Sequence, residues 1–178
     1  MVDLALLQSV SYIAGALGVC VATFYYAYNI REQTRNRRVT LTNSLMQPFV
    51  SEEGKRRFEE LWRMEWVDFD DFLRKYDSTV NTDSFVKRAS AFDVCEIVGL
   101  QYRSGLIDFE TVFSVCNTSV PQLWVKFRPV IEEYRKRGVY SMIEYQNFEY
   151  LANEITRIMQ QRDPSYVSAS TSLRLPVK

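Results

Sequence analysis

The stretch Leu4–Ile30 holds no charged residue, and charge begins at its end with Arg31 and Glu32. At about 1.5 Å per residue, a helix of about 27 residues reaches roughly 40 Å, enough to cross the ~30 Å hydrocarbon core of a bilayer. Leu4, Leu6, Leu7, Val10, Ile13, Leu17, Val19, Val21 and Phe24 each favour insertion by roughly 0.3–0.6 kcal/mol. Gln8, Ser9 and Ser11 lie toward one end, and Tyr25, Tyr26 and Tyr28 cluster at the other. A tyrosine suits a membrane interface because its ring is apolar and its hydroxyl seeks water. Residues 1–30 are therefore predicted to be a transmembrane anchor.

Charge predicts its orientation. No Lys or Arg precedes residue 31, whereas Arg31, Arg35, Arg37 and Arg38 follow closely. Excess positive charge stays on the cytoplasmic side, so the expectation is a single-pass protein of the cell membrane, N-terminus outside and C-terminal domain in the cytoplasm. Membrane lipids are then partners: each of the four arginines near the surface adds about 1 kcal/mol of attraction to anionic headgroups. A cleaved signal peptide would have a basic leading region and a shorter apolar core. Leu17-Gly18-Val19-Cys20 resembles a lipoprotein cleavage site only in part, because Val19 stands where a small residue is needed. Core helices of soluble proteins seldom run this far without charge. Ala14, Gly18 and Ala22 recur every fourth residue, with Ser11 and Gly15 beside them. Such small residues let two spanning helices approach closely, which predicts a protein partner or self-association through the span. The plainer reading is that Gly and Ala are common in spanning helices.

Composition bounds the rest. The chain has 178 residues; without anchor, stalk and tail roughly 110 remain, enough for one domain with its own core. Net charge is zero, which argues against nucleic acid as a partner, since such binding needs a basic excess. There is no histidine, and Cys20, Cys95 and Cys116 form no CxxC pair. Ser-His-Asp and Cys-His catalysis and zinc-protease motifs are thereby excluded, and the cysteines read as free thiols of a reducing compartment. The glycines at 15, 18, 54, 99, 105 and 138 form no phosphate loop. No cofactor is called for.

From Val19 to Gln47 there is neither Gly nor Pro, so the spanning helix is expected to continue as a juxtamembrane stalk over 31–50, until Pro48 disfavours it. Ser51, followed by Glu52 and Glu53, caps a helix carrying Phe58, Leu61 and Trp62 on one face. A short helix, DFDDFLRKY, and a longer one over Asp83–Arg103 follow, the latter stopped at Gly105. Asp108 caps another helix, and Ser119-Val120-Pro121 opens the next, whose Trp124, Phe127, Ile131 and Tyr134 form a stripe. Pro129 predicts a kink in it, and Gly138 its end. The last helix is placed near Ser141–Gln161, and 163–178 is expected to be a disordered tail. The fold class is all-α: a transmembrane helix and stalk, then a compact cytoplasmic bundle of about six helices over 51–162.

Four segments, EELWRMEWVDFDDFLRKY, FDVCEIVGLQYRSGLIDFETV, LWVKFRPVIEEYRKR and NFEYL, resemble a domain-of-unknown-function family of prokaryotic single-pass proteins with an N-terminal span and an all-helical cytoplasmic domain. The resemblance implies this architecture and assigns no catalytic residue.

Two groups of acids are candidates for chemistry. Asp68, Asp70 and Asp71 form a cluster suited to Mg²⁺, or simply the acidic start of a helix. Asp93 and Glu96 lie on one helix face amid apolar residues. A carboxylate pair there can acquire a raised pKa and do acid–base work, or be tied to Arg103, Arg128 or Arg135, or cap a backbone group. The basic triplets Lys55-Arg56-Arg57 and Arg135-Lys136-Arg137 are flanked by glutamates and read as solvated faces. The leading expectation is a membrane-tethered interaction, scaffold or accessory protein. A small membrane-bound enzyme using Asp93 and Glu96, and a subunit of a larger integral-membrane complex, are the other readings.

Overall fold

The computed structural model describes residues 4–166. Among these the chain is all-helical, with seven helices and no strand: α1 (Leu4–Val50), α2 (Glu52–Arg63), α3 (Phe69–Tyr76), α4 (Thr82–Arg103), α5 (Phe109–Cys116), α6 (Ser119–Lys136) and α7 (Gln146–Arg162). A long apolar N-terminal helix followed by a helical bundle is the expected fold class. The tail expected over 163–178 lies, from residue 167 on, outside the described residues. Two compact units divide between Leu41 and Thr42.

The first unit is the unbroken N-terminal part of α1. Its apolar side chains stay uncovered: Leu17 is 61% and Phe24 78% exposed. Three of its Ser and Thr hydroxyls bond within the helix. Ser11 donates to the Leu7 carbonyl at 3.0 Å, Thr23 to Val19 at 2.8 Å and Thr34 to Ile30 at 2.9 Å, the back-bonding that lets Ser and Thr sit in a helix without water.

The second unit begins with the last turns of α1. Met46 and Phe49 are buried, and Phe49 stacks on Phe58 of α2 at 5.3 Å. The helix passes Pro48 and ends at Val50, so the N–H that proline lacks is lost only from the last turn. The chain then doubles back so closely that a Cβ on Gly54 would lie 1.7 Å from the Pro48 carbonyl oxygen. Ser51 caps α2, accepting from the Gly54 N–H at 3.1 Å. Asp68, Asn81 and Asp108 do the same for α3, α4 and α5, at 2.8, 3.0 and 2.9 Å. Gly105 and Gly138 follow α4 and α6 at φ of 69° and 70°, the left-handed region open to glycine.

The core centres on Phe92 of α4. Its ring meets Phe127 of α6 at 5.2 Å, Phe148 of α7 at 5.7 Å and Tyr145 at 5.4 Å. Phe72, Phe92, Phe127 and Phe148 are fully buried, and removing one such ring costs about 3–5 kcal/mol. Cys95 and Cys116 are buried free thiols. Burial pushes the Cys116 thiol up to about 12 and raises Cys95 as well, so neither is a reactive thiolate.

One helix starts later than expected. The periodicity places the last helix from Ser141, but residues 141–145 form turns and α7 begins at Gln146, after Tyr145 at φ 60°. Arg135 fixes this turn by donating to the Glu144 carbonyl at 2.6 Å and to Glu149 at 3.1 Å.

Candidate functional site

The three aspartates at the start of α3 do not converge. Asp68 caps the helix. Asp70 faces Arg137 of α6 at 3.3 Å. Asp71 binds Lys75 at 2.8 Å, Arg74 at 2.9 Å and the Val67 N–H at 3.1 Å, and these donors, Lys75 first, hold its carboxyl well below the usual range. Among the described residues no group of acids or cysteines is arranged to hold a metal ion.

Asp93 and Glu96 share α4 but do different things. Asp93 is exposed; partial burial and, secondarily, the charge of Glu96 push its carboxyl up. Glu96 spends both oxygens on the start of α7, accepting from Asn147 Nδ2 at 2.8 Å and from the Phe148 N–H at 2.7 Å. It is the cap that Tyr145 cannot provide. One turn on, a Cβ on Gly99 would lie 2.2 Å from the Asn147 carbonyl oxygen. Glu96 and Gly99 together form the seat of α7. Of the two structural roles open to Glu96, it takes the backbone one. Arg128 pairs instead with Glu132 at 2.7 Å, and Arg103 reaches Asn147 at 3.5 Å. Both basic triplets lie among paired side chains: Arg56 with Glu52, Arg57 with Glu53, Arg135 with Glu149, and Lys136 and Arg137 with Glu133.

An open cleft of about 490 Å³ lies where the α2–α3 connection crosses α6, lined by Met64, Glu65, Trp66, Val67, Lys75 and Lys126. Lys126 is half-buried. Its ammonium donates to the Trp62 carbonyl and lies 5.3 Å from the Trp66 ring centre. Burial lowers its pKa, partly offset by the charge of Glu65. Lys75 donates to Asp71 and to the Glu65 carbonyl at 3.2 Å. Trp66 is braced by Phe127 at 5.2 Å and, edge-on, by Phe72 at 5.1 Å.

The same segment is clasped to the bundle by cations over rings. Lys126 covers Trp66, Arg137 covers Phe69 at 4.4 Å, and Arg88 covers Phe72 at 5.0 Å. Arg88 is fully buried, and its three guanidinium nitrogens have no hydrogen-bond partner. Phe85, Phe92 and Tyr134 complete its enclosure at 5.3, 5.8 and 5.8 Å. Desolvated cation–π contacts are worth about 2 kcal/mol or more, which offsets part of the cost of burying the charge.

With this geometry in hand, the family model described as Domain of unknown function (DUF4760) matches residues 12–155. The chain belongs to the DUF4760 family. No curated protein and no solved structure matches it. The DUF4760 match opens at Tyr12, inside the apolar part of α1, and closes at Ile155 in α7. It therefore takes in the exposed helix as well as the bundle. Ala14, Gly18 and Ala22 are exposed on that helix, and a Cβ on Gly15 or Gly18 would meet nothing within 4 Å. Arg31, Arg35, Arg37 and Arg38 are exposed beyond it, with Arg35 at 3.9 Å from Glu32.

Sequence reasoning missed Arg88 and Lys126 in the DUF4760 bundle, and it left the backbone role of Glu96 as one alternative without naming the group it caps. A signal for Arg88 existed: it lies three residues after Phe85 and four before Phe92, on the buried stripe rather than opposite it. Lys126 likewise sits between the inward Trp124 and Phe127. Glu96 had no local signal, since its partners are 51 and 52 residues away.

Proposed function

We propose that this DUF4760 protein is a single-pass, membrane-anchored interaction module: α1 spans the cell membrane with its N-terminal end outside, and the helical bundle works in the cytoplasm as scaffold or accessory subunit. One observation carries the reading. The most apolar stretch of α1, the one helix among the described residues long and apolar enough to cross a membrane, has none of its residues buried. Uncovered apolar surface on this scale is unfavourable in water at about 25 cal/mol per Å², and lipid removes that cost. The internal hydrogen bonds of Ser11, Thr23 and Thr34 support the same reading, because hydrocarbon offers polar groups no partner. Arg31, Arg35, Arg37 and Arg38 support the orientation and a contact with anionic lipid heads. The exposed small residues Ala14, Gly18 and Ala22 supply a surface for packing against a second span. Of the paired acids Asp93 and Glu96, the latter gives both oxygens to the start of α7, which favours interaction over paired acid–base chemistry.

Fractionation tests the proposal. Full-length chain from lysed cells should pellet with membranes, resist extraction by alkaline carbonate and dissolve only in detergent. Recovery in the supernatant without detergent overturns it.

A further inference from the structure

Lys75 and Lys126 face the same cleft with different electrostatics. The charge of Lys75 is balanced by Asp71 at 2.8 Å. Lys126 has no ion pair among the described residues; of its three donors one reaches the Trp62 carbonyl, and the ammonium otherwise meets only the Trp66 ring. Half-burial has removed much of its water, and a carbonyl and a π-face do not neutralise a charge. The remaining carboxylate on the wall, Glu65, is exposed and pairs with neither lysine. The rest of the lining is apolar: Met64, Val67, which is 91% exposed, and the edge of Trp66. A half-buried positive charge without an ion pair, only partly offset by Glu65, beside an apolar wall matches one negative charge on an apolar body. A phosphate or a polyacidic chain would bring further negative charge against Glu65. The volume of about 490 Å³ falls within the range of small-molecule sites, roughly 300–1,000 Å³.

We propose that this cleft is a binding site for a small monocarboxylic acid with an apolar body, its carboxylate held by Lys126 and its body against Met64, Trp66 and Val67. The site goes beyond the anchoring role and does not depend on it: the cleft lies wholly in the bundle, and a failure of membrane insertion would leave it intact.

Benzoate is the probe, and benzamide, the same shape without the charge, is its control. Each is titrated into the full-length chain in detergent while the indole N–H resonance of Trp66, assigned with Trp66→Phe, is followed. Benzoate should shift that resonance saturably, with a dissociation constant in the millimolar range or tighter, and benzamide should not. Lys126→Met should weaken benzoate at least tenfold while the thermal melt of the bundle is retained. Glu65→Gln, an exposed change that leaves the fold alone, should tighten it severalfold. Equal responses to benzoate and benzamide, no saturable shift, a response that survives Lys126→Met, or no tightening with Glu65→Gln would each overturn the proposal.

Discussion

The two units of this chain use the same residue types in opposite ways. In α1, Leu17 and Phe24 are 61% and 78% exposed; in the bundle, Leu61 and Phe92 are fully buried. Polar groups divide in the same manner. The Ser11, Thr23 and Thr34 hydroxyls of α1 donate to carbonyls of the preceding turn, whereas Glu96 in the bundle reaches across to another helix. A bundle stabilised by the hydrophobic effect must cover its apolar surface from water. A helix that exposes that surface and returns the Ser11, Thr23 and Thr34 hydroxyls to its own carbonyls has the features that an apolar solvent favours.

The contrast can be broken most forcefully in the middle of the exposed stretch. Arginine at the centre of a spanning helix costs about 2.5–3.5 kcal/mol, so Leu17→Arg with Val21→Arg opposes insertion by about 6 kcal/mol. The double variant should leave the membrane fraction, measured by flotation on a density gradient, while the near-ultraviolet circular dichroism of the aromatic bundle stays unchanged. Loss of that signal together with flotation would mean that the two units are not independent in their solvent.

A smaller effect sharpens the other half of the comparison. Glu96→Ala removes the acceptor for the Phe148 N–H of α7 and for the Asn147 side-chain amide. Caps are worth about 0.5–2 kcal/mol and hydrogen bonds to charged groups about 1.5–3, so the bundle should lose about 2 kcal/mol in a urea melt. Membrane association should not change. A stability equal to that of the parent would show that the seat on Gly99 alone places α7.

These two variants also mark where the fold was legible. The caps at Ser51 and Asp108, the glycine stops at 105 and 138, and the inward stripe of α6 all rest on contacts within a turn or two, and local patterning reveals them. The start of α7 does not: it is set by a carboxylate on α4, and Tyr145 adopts a left-handed conformation that nothing nearby demands. Arg88 and Lys126 stayed hidden for a related reason. Charged residues are ordinarily read as solvated, so their places among inward aromatics went unused, and the assembled rings of Phe72, Phe85, Phe92, Tyr134 and Trp66 show the charges placed inside. The acidic candidates were legible as residues, with the helix start and the backbone cap among their readings, but the choice between readings was not, because what separates Asp71 from a metal ligand is the pair of cations beside it.

That pair gives the smallest expected effect and a test by pH. The Lys75 and Arg74 hydrogen bonds depress the folded-state pKa of Asp71 below its ordinary 3.8. A depressed carboxyl contributes stability that is fully present above the unfolded value and is lost as pH falls toward the folded one. Lys75 and Arg74 are themselves well exposed, so water and salt screen the contribution. The stability difference between the parent and Asp71→Asn should therefore be constant from neutrality down to about pH 5. It should shrink below pH 3.8 and be smaller throughout in 1 M salt than in 0.1 M. A difference that vanished above pH 5 would place the folded pKa on the wrong side of the unfolded one, and the cations beside Asp71 would then be neighbours without consequence for it.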